Sequence, residues 1–256
     1  MKKYATLIFD LDGTLAVSKS AISNSISELL STASKSLNLV IISGGMFSQI
    51  KKQVIDELGT GTRLENISIL PTSGSQMLCY NVKTLSWDTI YKKVLSSEQK
   101  NRIVQCLKKS LGQTSFSIRP QEIMGEQIED RDSQISFSAL GQDQLADIKS
   151  LWDPSEDKRR EMMTFLTELD ADFDVKLGGS TSIDITLKGI DKEFGINEYL
   201  KVTHLAIEEA LFVGDKITPG GNDFAATKTG IDTYHTKNPE DTAELITRIL
   251  NLDKEL

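Results

Sequence analysis

Two carboxylates end the first apolar run of the chain, in the stretch Ile8-Phe9-Asp10-Leu11-Asp12-Gly13-Thr14-Leu15. The run that precedes them, from Tyr4 to Phe9, has the length and composition of a buried parallel strand. In an open α/β sheet, the carboxyl ends of the strands form the ligand-binding crevice. Two acids at that place can hold a cation and a reacting group. Taken alone, the stretch also fits a strand that runs into a polar turn.

A calcium-binding loop begins with the same Asp-x-Asp pattern, but it needs a ligand at its fifth position, glycine at the sixth and glutamate at the twelfth. Thr14, Leu15 and Ala21 stand at those positions, so the stretch does not match an EF-hand loop. The glycines after Ser43 are followed by neither the Gly-Lys-Ser/Thr of a P-loop nor the third glycine of a dinucleotide-binding fingerprint. The two acids therefore indicate another kind of site.

Composition narrows the class of function. The chain has 256 residues and a formal net charge of -8, which argues against nucleic acid and anionic membrane surfaces as partners. Cys79 and Cys106 are far apart and have no histidine nearby, so neither a disulfide framework nor a zinc site is indicated. His204 and His235 fit surface or packing positions better than a catalytic pair. No apolar run approaches the roughly 18 residues of a membrane span. We therefore expect a cytoplasmic protein that acts on a small molecule.

Predicted strands and helices alternate at both ends of the chain. Before residue 88, the patterns predict strands at Tyr4–Phe9, Leu37–Ile42, Ile67–Leu70, Met77–Tyr80 and Leu85–Trp87, and helices at Ser20–Ser34 and Met46–Leu58. After residue 187, they predict helices at Phe194–Val202, from Asn222 and after Asn238-Pro239, with strands at Ala210–Val213 and Ile231–Tyr234. This order is typical of a parallel sheet covered by helices.

The middle of the chain follows a different order, in which each of two helices is followed by consecutive strands. One helix begins at the Ser96 capping box and the other at Asp153-Pro154. The predicted strands are Phe116–Ile118, Gln127–Ile128, Gln134–Phe137, Val175–Leu177 and Ile183–Leu187. We therefore predict an α/β protein with a Rossmann-like parallel-sheet core at 1–87 and 188–256 and an inserted α+β domain at 88–187.

Four separated segments share one chemical logic. Acids follow the first strand, Ser43 follows the second, Lys192 lies at a helix start, and a later strand is followed by Asp215 and Asp223. Parallel strands bring such ends together, and Mg²⁺ prefers carboxylate and phosphate oxygens. The set predicts a site for Mg²⁺ and a phosphate, with calcium binding or a purely structural acid cluster as alternatives. A hydroxyl at a helix start suits an anion, but Ser43 alone fits a plain helix cap equally well.

These segments resemble the four motifs of the haloacid dehalogenase superfamily of phosphatases and phosphomutases. The matching stretches are F-D-L-D-G-T-L, I-I-S-G-G, K-G-I-D-K and F-V-G-D-K-I-T-P-G-G-N-D, in the family's order. The insertion between the second and third motifs resembles an α+β (type IIB) cap that selects the substrate. The wording of the last two motifs is most similar to that of the eukaryotic-type phosphomannomutases and their bacterial phosphatase relatives.

The resemblance implies a role for each matching residue. Asp10 would be the nucleophile that forms an aspartyl-phosphate, and Asp12 would be the general acid and base. Ser43 and Lys192 would hold the transferring phosphoryl group. The implied metal ligands are Asp10, the backbone carbonyl of Asp12, Asp215 and Asp223, and the implied substrate-binding residues are Gly44, Lys19, Arg131, Ser182, Asp184 and Asn222.

The chain departs from the mutase pattern in the cap. Two cap arginines of the mutase, which grip the distant phosphate of a hexose bisphosphate, are replaced by Met124 and Gln142. A neutral side chain does not substitute for a bidentate guanidinium at a phosphate. We therefore expect a magnesium-dependent phosphatase that acts on a phosphorylated sugar or a related small metabolite. The alternatives are a phosphohexomutase and a protein that binds a phosphorylated ligand without turnover. The oligomeric state stays open, with a homodimer as one option.

Overall fold

The computed structural model describes residues 2–17 and 19–252, which form two compact units. The core unit contains the described residues up to Lys92 and those from Asp191 onward, and the inserted unit is Lys93–Ile190. Both boundaries lie a few residues after the predicted 88 and 187. The first one moves because Ser86–Lys92 is a strand of the large sheet. The second one moves because Thr186 of the inserted unit donates a hydrogen bond to the carbonyl of Ile190 (3.0 Å).

The strands are numbered in chain order. They are β1 Thr6–Phe9, β2 Asn38–Ile42, β3 Ile67–Leu70, β4 Gln76–Asn81, β5 Ser86–Lys92, β6 Ile128–Asp130, β7 Gln134–Ser138, β8 Phe173–Leu177, β9 Ser182–Leu187, β10 Ala210–Gly214 and β11 Asp232–His235. The helices are α1 Asn24–Ala33, α2 Phe47–Gln53, α3 Ser97–Leu111, α4 Ala146–Trp152, α5 Asp157–Thr164, α6 Lys192–Thr203, α7 Phe224–Thr227 and α8 Pro239–Leu252.

The core unit is built on a seven-stranded sheet in the order β11-β10-β1-β2-β3-β4-β5. The strands from β11 to β3 are parallel, which confirms the predicted α/β class, while β4 and β5 add an antiparallel hairpin at one edge. Every residue of β1 is buried, as expected of a strand with both faces covered. Phe9 belongs to the apolar cluster of one face and Ile8 to that of the other. The carboxyl ends of β1, β2 and β10 therefore lie side by side.

The inserted unit is built on a four-stranded antiparallel sheet in the order β6-β7-β9-β8. Side chains alternate along its strands, so that Ile135 and Ile183 join the apolar cluster that includes Ile103 of α3 and Met162 of α5. The helices cover that face, and the opposite face carries polar side chains. This alternation of apolar and polar side chains has the period of two expected of a β-strand.

The inserted unit differs from the sequence prediction at three places. Residues 116–118 are irregular rather than a strand, and the α4 helix (Ala146–Trp152) was missed. The helix expected from Asp153 begins instead at Asp157, after Glu156 in a left-handed conformation (φ 66°). Asp153 still serves that helix, because its carboxylate accepts hydrogen bonds from the backbone N–H of Lys158 (3.1 Å) and of Arg159 (3.2 Å). The side chain thus caps the helix from farther upstream than the sequence pattern indicates.

The helix predicted over Met46–Leu58 is shorter in the structure. It ends at Gln53 and is followed by a 3₁₀ turn at Ile55–Glu57. The β-branched residues Val54 and Ile55 are poor helix formers, which accounts for the break. In the part of the chain that the structure describes, no helix is both long and apolar enough to cross a membrane.

Candidate active site

Asp10 follows directly on the central strand β1. Its backbone N–H donates a hydrogen bond to the carbonyl of Val213 on β10 (2.9 Å), so the ladder between the two strands extends as far as Asp10. The side chain of Asp10 is buried, being only 3% exposed. A carboxylate at this depth requires a compensating charge.

Lys192, the first residue of α6, supplies that charge. Its ammonium group contacts the carboxylates of both Asp10 and Asp223, and all three side chains are buried. Asp191 caps the helix by accepting a hydrogen bond from the backbone N–H of Phe194 (3.3 Å), which fixes where the helix starts. The helix start therefore delivers Lys192 to the end of the neighbouring strands.

The loop after β10 brings two further acids to the same place. Oδ2 of Asp223 accepts a hydrogen bond from the backbone N–H of Lys216 (2.9 Å). Asp10, Asp215 and Asp223 each offer a carboxylate oxygen, and the three oxygens lie within 4.8 Å of one another. Oδ1 of Asp215 is buried and has no hydrogen-bond partner among the described residues. An unpartnered carboxylate oxygen beside two other carboxylates is a ready cation ligand.

Two glycines make room for these carboxylates. A Cβ on Gly13 would lie 2.4 Å from Oδ2 of Asp215, and one on Gly214 would lie 2.5 Å from Oδ2 of Asp223. Gly13 also has a φ of +88°, a conformation that side chains disfavour. The glycine of the first motif is thus explained by the close approach of an acid from a distant segment.

The acids and the lysine alter each other's ionisation. Burial raises the pKa of Asp10, opposed by the positive charge of Lys192 and reinforced by the nearby Asp223 and Asp215. Burial also raises the pKa of Asp215, with Asp223 acting in the same direction. Burial alone lowers the pKa of Lys192, but Asp10 and Asp223 outweigh it and keep the amine protonated. Such perturbed groups gather where a site has a chemical task.

Ser43 follows β2, next to the strand that bears Asp10. The side chain is buried, and its Oγ accepts a hydrogen bond from the backbone N–H of Gly45 (3.1 Å). Its backbone is held by Leu70 and Ser73, since the Ser43 N–H donates to the Leu70 carbonyl and the Ser43 carbonyl accepts from the Ser73 N–H. Because Oγ accepts there, the Ser43 hydroxyl hydrogen is left to donate to a ligand. Gly44, beside it, is half-buried.

Asp12 stands apart from the other acids. Its carboxylate is not part of the group within 4.8 Å that Asp10, Asp215 and Asp223 form among the described residues. Its Oδ1 accepts a hydrogen bond from the backbone N–H of Lys19 (2.7 Å), and Lys19 has a left-handed backbone (φ 59°) with an exposed side chain. Asp12 is half-buried, which suits a group that must exchange protons with a leaving group or water.

The other predicted substrate contacts are divided between the two units. Asn222 is exposed on the core unit, next to Asp223. Arg131, Ser182 and Asp184 belong to the inserted unit, where all three are half-buried. Asp184 accepts a hydrogen bond from Oγ of Ser136 (2.5 Å), and burial raises its pKa, opposed by the charge of Arg131. These three residues lie on the polar side of the four-stranded sheet.

Several polar residues near these groups had no direct signal in the sequence. Nε2 of His235 lies 2.8 Å from the carbonyl oxygen of Asp215, at the end of β11. In the inserted unit, Glu129 pairs with Arg131 and Ser136 contacts Asp184. His235 and Ser136 are recognisable only once strand register is known, because each contacts a residue that is distant in sequence. The sequence pattern did not foresee the strand pairing that brings His235 to Asp215.

Comparisons with known proteins agree with the arrangement. The family model of haloacid dehalogenase-like hydrolases matches residues 7–223. The chain is 25% identical to a phosphomannomutase of Drosophila melanogaster over 252 residues, covering 96% of this chain and 95% of the relative. It is 22% identical to the phosphomannomutase of Saccharomyces cerevisiae over 257 residues, covering 98% and 96%.

Solved structures share the fold at lower identity. An N-terminally truncated IMP-nucleotidase of Plasmodium falciparum superposes with a TM-score of 0.71 at 16% identity, covering 98% of this chain and 71% of that one. A haloacid dehalogenase-like hydrolase of Bacteroides thetaiotaomicron superposes with a TM-score of 0.62 at 18% identity, covering 96% and 100%. At these identities the likeness concerns the fold.

Proposed function

Because the chain belongs to the haloacid dehalogenase-like hydrolases, we propose that it is a magnesium-dependent phosphatase that acts on a phosphorylated sugar or a related small metabolite. The observation that carries the proposal is the buried contact of Lys192 with Asp10 and Asp223, beside the unpartnered oxygen of Asp215. One cation and three carboxylates leave an excess of negative charge. A divalent ion would balance that excess and then attract a phosphate.

The donor set fits Mg²⁺. Carboxylate oxygens are its preferred protein ligands, and one or two carboxylates together with a substrate phosphate commonly hold it. Asp10, Asp215 and Asp223 would supply these oxygens, with the backbone carbonyl of Asp12 as a further ligand. When bound, the ion lowers the charge barrier between an anionic nucleophile and an anionic phosphate ester.

The residues of the chain would then carry out two displacements. A carboxylate oxygen of Asp10 attacks phosphorus, the bond between phosphorus and the ester oxygen breaks, and Asp12 gives its proton to the leaving alkoxide. Asp12, now ionised, takes a proton from water as the water oxygen attacks the phosphorus of the aspartyl-phosphate. The acyl-phosphate bond breaks, which releases phosphate and restores Asp10. Lys192 and the Ser43 hydroxyl donate hydrogen bonds to the oxygens of the transferring group.

We assign substrate selection to the inserted unit. A cap inserted between the second and third motifs has that task in the family that the chain resembles. Arg131, Ser182 and Asp184 lie together on the polar side of its sheet, which supports the assignment.

The second candidate is a phosphohexomutase, favoured by relatives named phosphomannomutase along nearly the whole chain. A mutase must hold a hexose bisphosphate while its intermediate turns over. Met124 and Gln142 weaken such a grip by two charged contacts, each a hydrogen bond worth about 1.5 to 3 kcal/mol. When the sugar is held less tightly, water competes better than a sugar hydroxyl for attack on the aspartyl-phosphate. We therefore place the phosphatase first.

The deciding experiment follows mannose 1-phosphate and glucose 1-phosphate by phosphorus NMR, with and without hexose bisphosphate. We expect release of phosphate to outrun interconversion of the 1- and 6-phosphates in both conditions. Faster interconversion would establish the mutase instead. A parallel sample with excess chelator should lose both reactions, and full turnover in chelator would contradict the magnesium assignment.

A further inference from the structure

The sheet of the inserted unit has one polar face whose residues are aligned by strand register. Glu129, Ser136, Asp184 and Lys176 are direct cross-strand neighbours on β6, β7, β9 and β8. Directly opposed residues project from the same face of a sheet. Their apolar neighbours along the strands, such as Ile135 and Ile183, lie in the cluster on the other face. The polar row therefore follows from the regular alternation of polar and apolar side chains along these strands.

Two of the three carboxylates on this polar face have basic partners. Arg131 donates to Glu129 through both Nε (2.7 Å) and Nη2 (2.6 Å). Lys176 lies 3.5 Å from the carboxylate of Asp174. Asp184 is the third carboxylate of the face and accepts a hydrogen bond from the Ser136 hydroxyl. Three acids against two bases give a small negative excess, which disfavours a second phosphate or a carboxylate at this surface.

Gln134 lies on β7 two residues before Ser136 and hence on the same face. It is fully buried, and neither Oε1 nor Nε2 of its carboxamide has a well-aligned hydrogen-bond partner among the residues that the structure describes. The amide is nonetheless near enough to Asp184 to lower the pKa of that carboxyl. A buried amide without hydrogen-bond partners lowers the stability of the fold. A ligand that can both donate and accept hydrogen bonds would satisfy its oxygen and its nitrogen.

We propose that Gln134 is a specificity residue that recognises hydroxyl groups of a neutral polyol moiety in a monophosphorylated substrate, next to Asp184, which the family resemblance already implies as a substrate contact. A hydroxyl can donate to Oε1 of Gln134 or to Asp184 and can accept from Nε2 of Gln134, so adjacent hydroxyls of a polyol would satisfy the whole set. The inference rests on the proposed phosphatase activity and narrows its substrate class. It assigns a specificity role to a residue that no part of the motif pattern contains.

The test compares three phosphate esters that share a six-carbon chain. Sorbitol 6-phosphate carries hydroxyls along the chain, hexyl phosphate carries none, and 6-phosphogluconate ends in a carboxylate in place of the last CH₂OH. We expect wild-type kcat/KM for sorbitol 6-phosphate to exceed each of the other two by at least about ten-fold. Hexyl phosphate leaves a site built for hydroxyls unpaired, and the carboxylate of 6-phosphogluconate is repelled by the negative excess of the face. Equal or higher kcat/KM for hexyl phosphate or 6-phosphogluconate would overturn the proposal without any variant.

The variant Gln134→Met keeps the length of the side chain and removes both amide atoms. It should lower the ratio of kcat/KM for sorbitol 6-phosphate to that for hexyl phosphate by about ten-fold, the effect of one or two lost hydrogen bonds. The matched control Gln105→Met, at an exposed position of α3, should leave the ratio unchanged. Because the Gln134 amide has no well-aligned partner among the described side and main chains, its loss should not lower the midpoint of urea unfolding.

The outcomes separate this proposal from the one on which it rests. An unchanged ratio in a folded Gln134→Met protein would refute the hydroxyl site and leave the phosphatase intact. A wild-type protein that hydrolyses neither these esters nor 4-nitrophenyl phosphate would refute the phosphatase. Calorimetric binding of the three esters would then test the site directly, with tighter binding of sorbitol 6-phosphate expected and equal binding contradicting it.

Discussion

The two sheets of this protein display their polar residues in different ways. The large sheet is parallel and places its carboxylates beyond the strand ends, where Asp10 and Asp223 share the ammonium group of Lys192. The small sheet is antiparallel and places its polar residues along the strands, as the row from Glu129 through Ser136 to Asp184 shows. Charged side chains converge at the ends of parallel strands, whereas a broad face of polar side chains suits the recognition of a ligand.

The difference has an energetic counterpart. At the ends of the parallel strands, the buried charges depend on one another, because removing one leaves the others unpaired in a dry environment. On the face of the small sheet, Arg131 and Glu129 form a partly exposed pair, and Gln134 is neutral. We therefore expect substitutions in the first region to have large effects on turnover or stability, and those in the second to change preference among substrates.

The largest effect is expected from Asp10→Asn. The amide is nearly isosteric but does not attack phosphorus, so kcat should fall by about 10³-fold or more. The measurement is phosphate release from 4-nitrophenyl phosphate with Mg²⁺ present. Asp88→Asn, at an exposed position of β5, is the control and should retain wild-type activity. Retention of more than a few per cent of activity by Asp10→Asn would exclude Asp10 as the nucleophile.

Asp12→Ala should be nearly as severe, but its effect should depend on the leaving group. General acid catalysis contributes about 10² to 10⁴-fold, and esters with acidic leaving groups need little of it. The loss in kcat should therefore be much smaller for 4-nitrophenyl phosphate than for an alkyl phosphate. If the two losses were equal, Asp12 would not be the acid.

Lys192→Met tests the interdependence of the buried charges. At pH 8 without Mg²⁺, removing the shared cation should lower the free energy of unfolding by about 3 to 5 kcal/mol, because Asp10 and Asp223 lose their counter-charge. Urea denaturation measures the change. Lys51→Met removes an exposed pair with Asp56 and should cost much less. Similar losses in the two variants would mean that the buried cluster is not held by this lysine.

The smallest effect is expected from Glu129→Gln on the small sheet. It removes one negative charge from the polar face and frees Arg131 from its carboxylate partner. The preference for sorbitol 6-phosphate over 6-phosphogluconate should then fall by about three-fold, since a partly exposed charge acts through a high dielectric. The exposed Glu98→Gln on α3 serves as the control. A rise in the ratio of kcat/KM for sorbitol 6-phosphate to that for 6-phosphogluconate would show that the charge of this face does not govern the choice between the two esters.

The same contrast explains what the sequence could predict. Residues at strand ends are local in sequence, since Asp10, Ser43 and Asp215 each follow an apolar run that marks its own strand. Their convergence then follows from parallel topology alone. Lys192 was predicted at a helix start and is the first residue of α6, where it reaches the same strand ends. The predicted fold class was therefore confirmed. Of the predicted residues, Asp10, Lys192, Asp215 and Asp223 lie together in the core unit, and their catalytic roles stay predictions.

Cross-strand relations could not be predicted in this way. Gln134 and Asp184 lie fifty residues apart in sequence, and only the register of β7 on β9 brings them to one face. The predicted start of α5 was wrong for a related reason. Asp153 caps the helix from four residues upstream of its first residue, and it also contacts the Arg159 side chain. Local patterns find the ends of elements, whereas pairing between elements needs the fold.

Trapping the covalent intermediate on the intact protein tests directly whether Asp10 is the nucleophile. We expect rapid acid quenching during turnover of 4-nitrophenyl phosphate, followed by borohydride reduction, to convert Asp10 to homoserine, as read by peptide mass spectrometry. The conversion should require both the ester and Mg²⁺, and it should be absent in Asp10→Asn. Homoserine at another aspartate, or none at residue 10 while phosphate is being released, would contradict the assignment of Asp10 as the nucleophile.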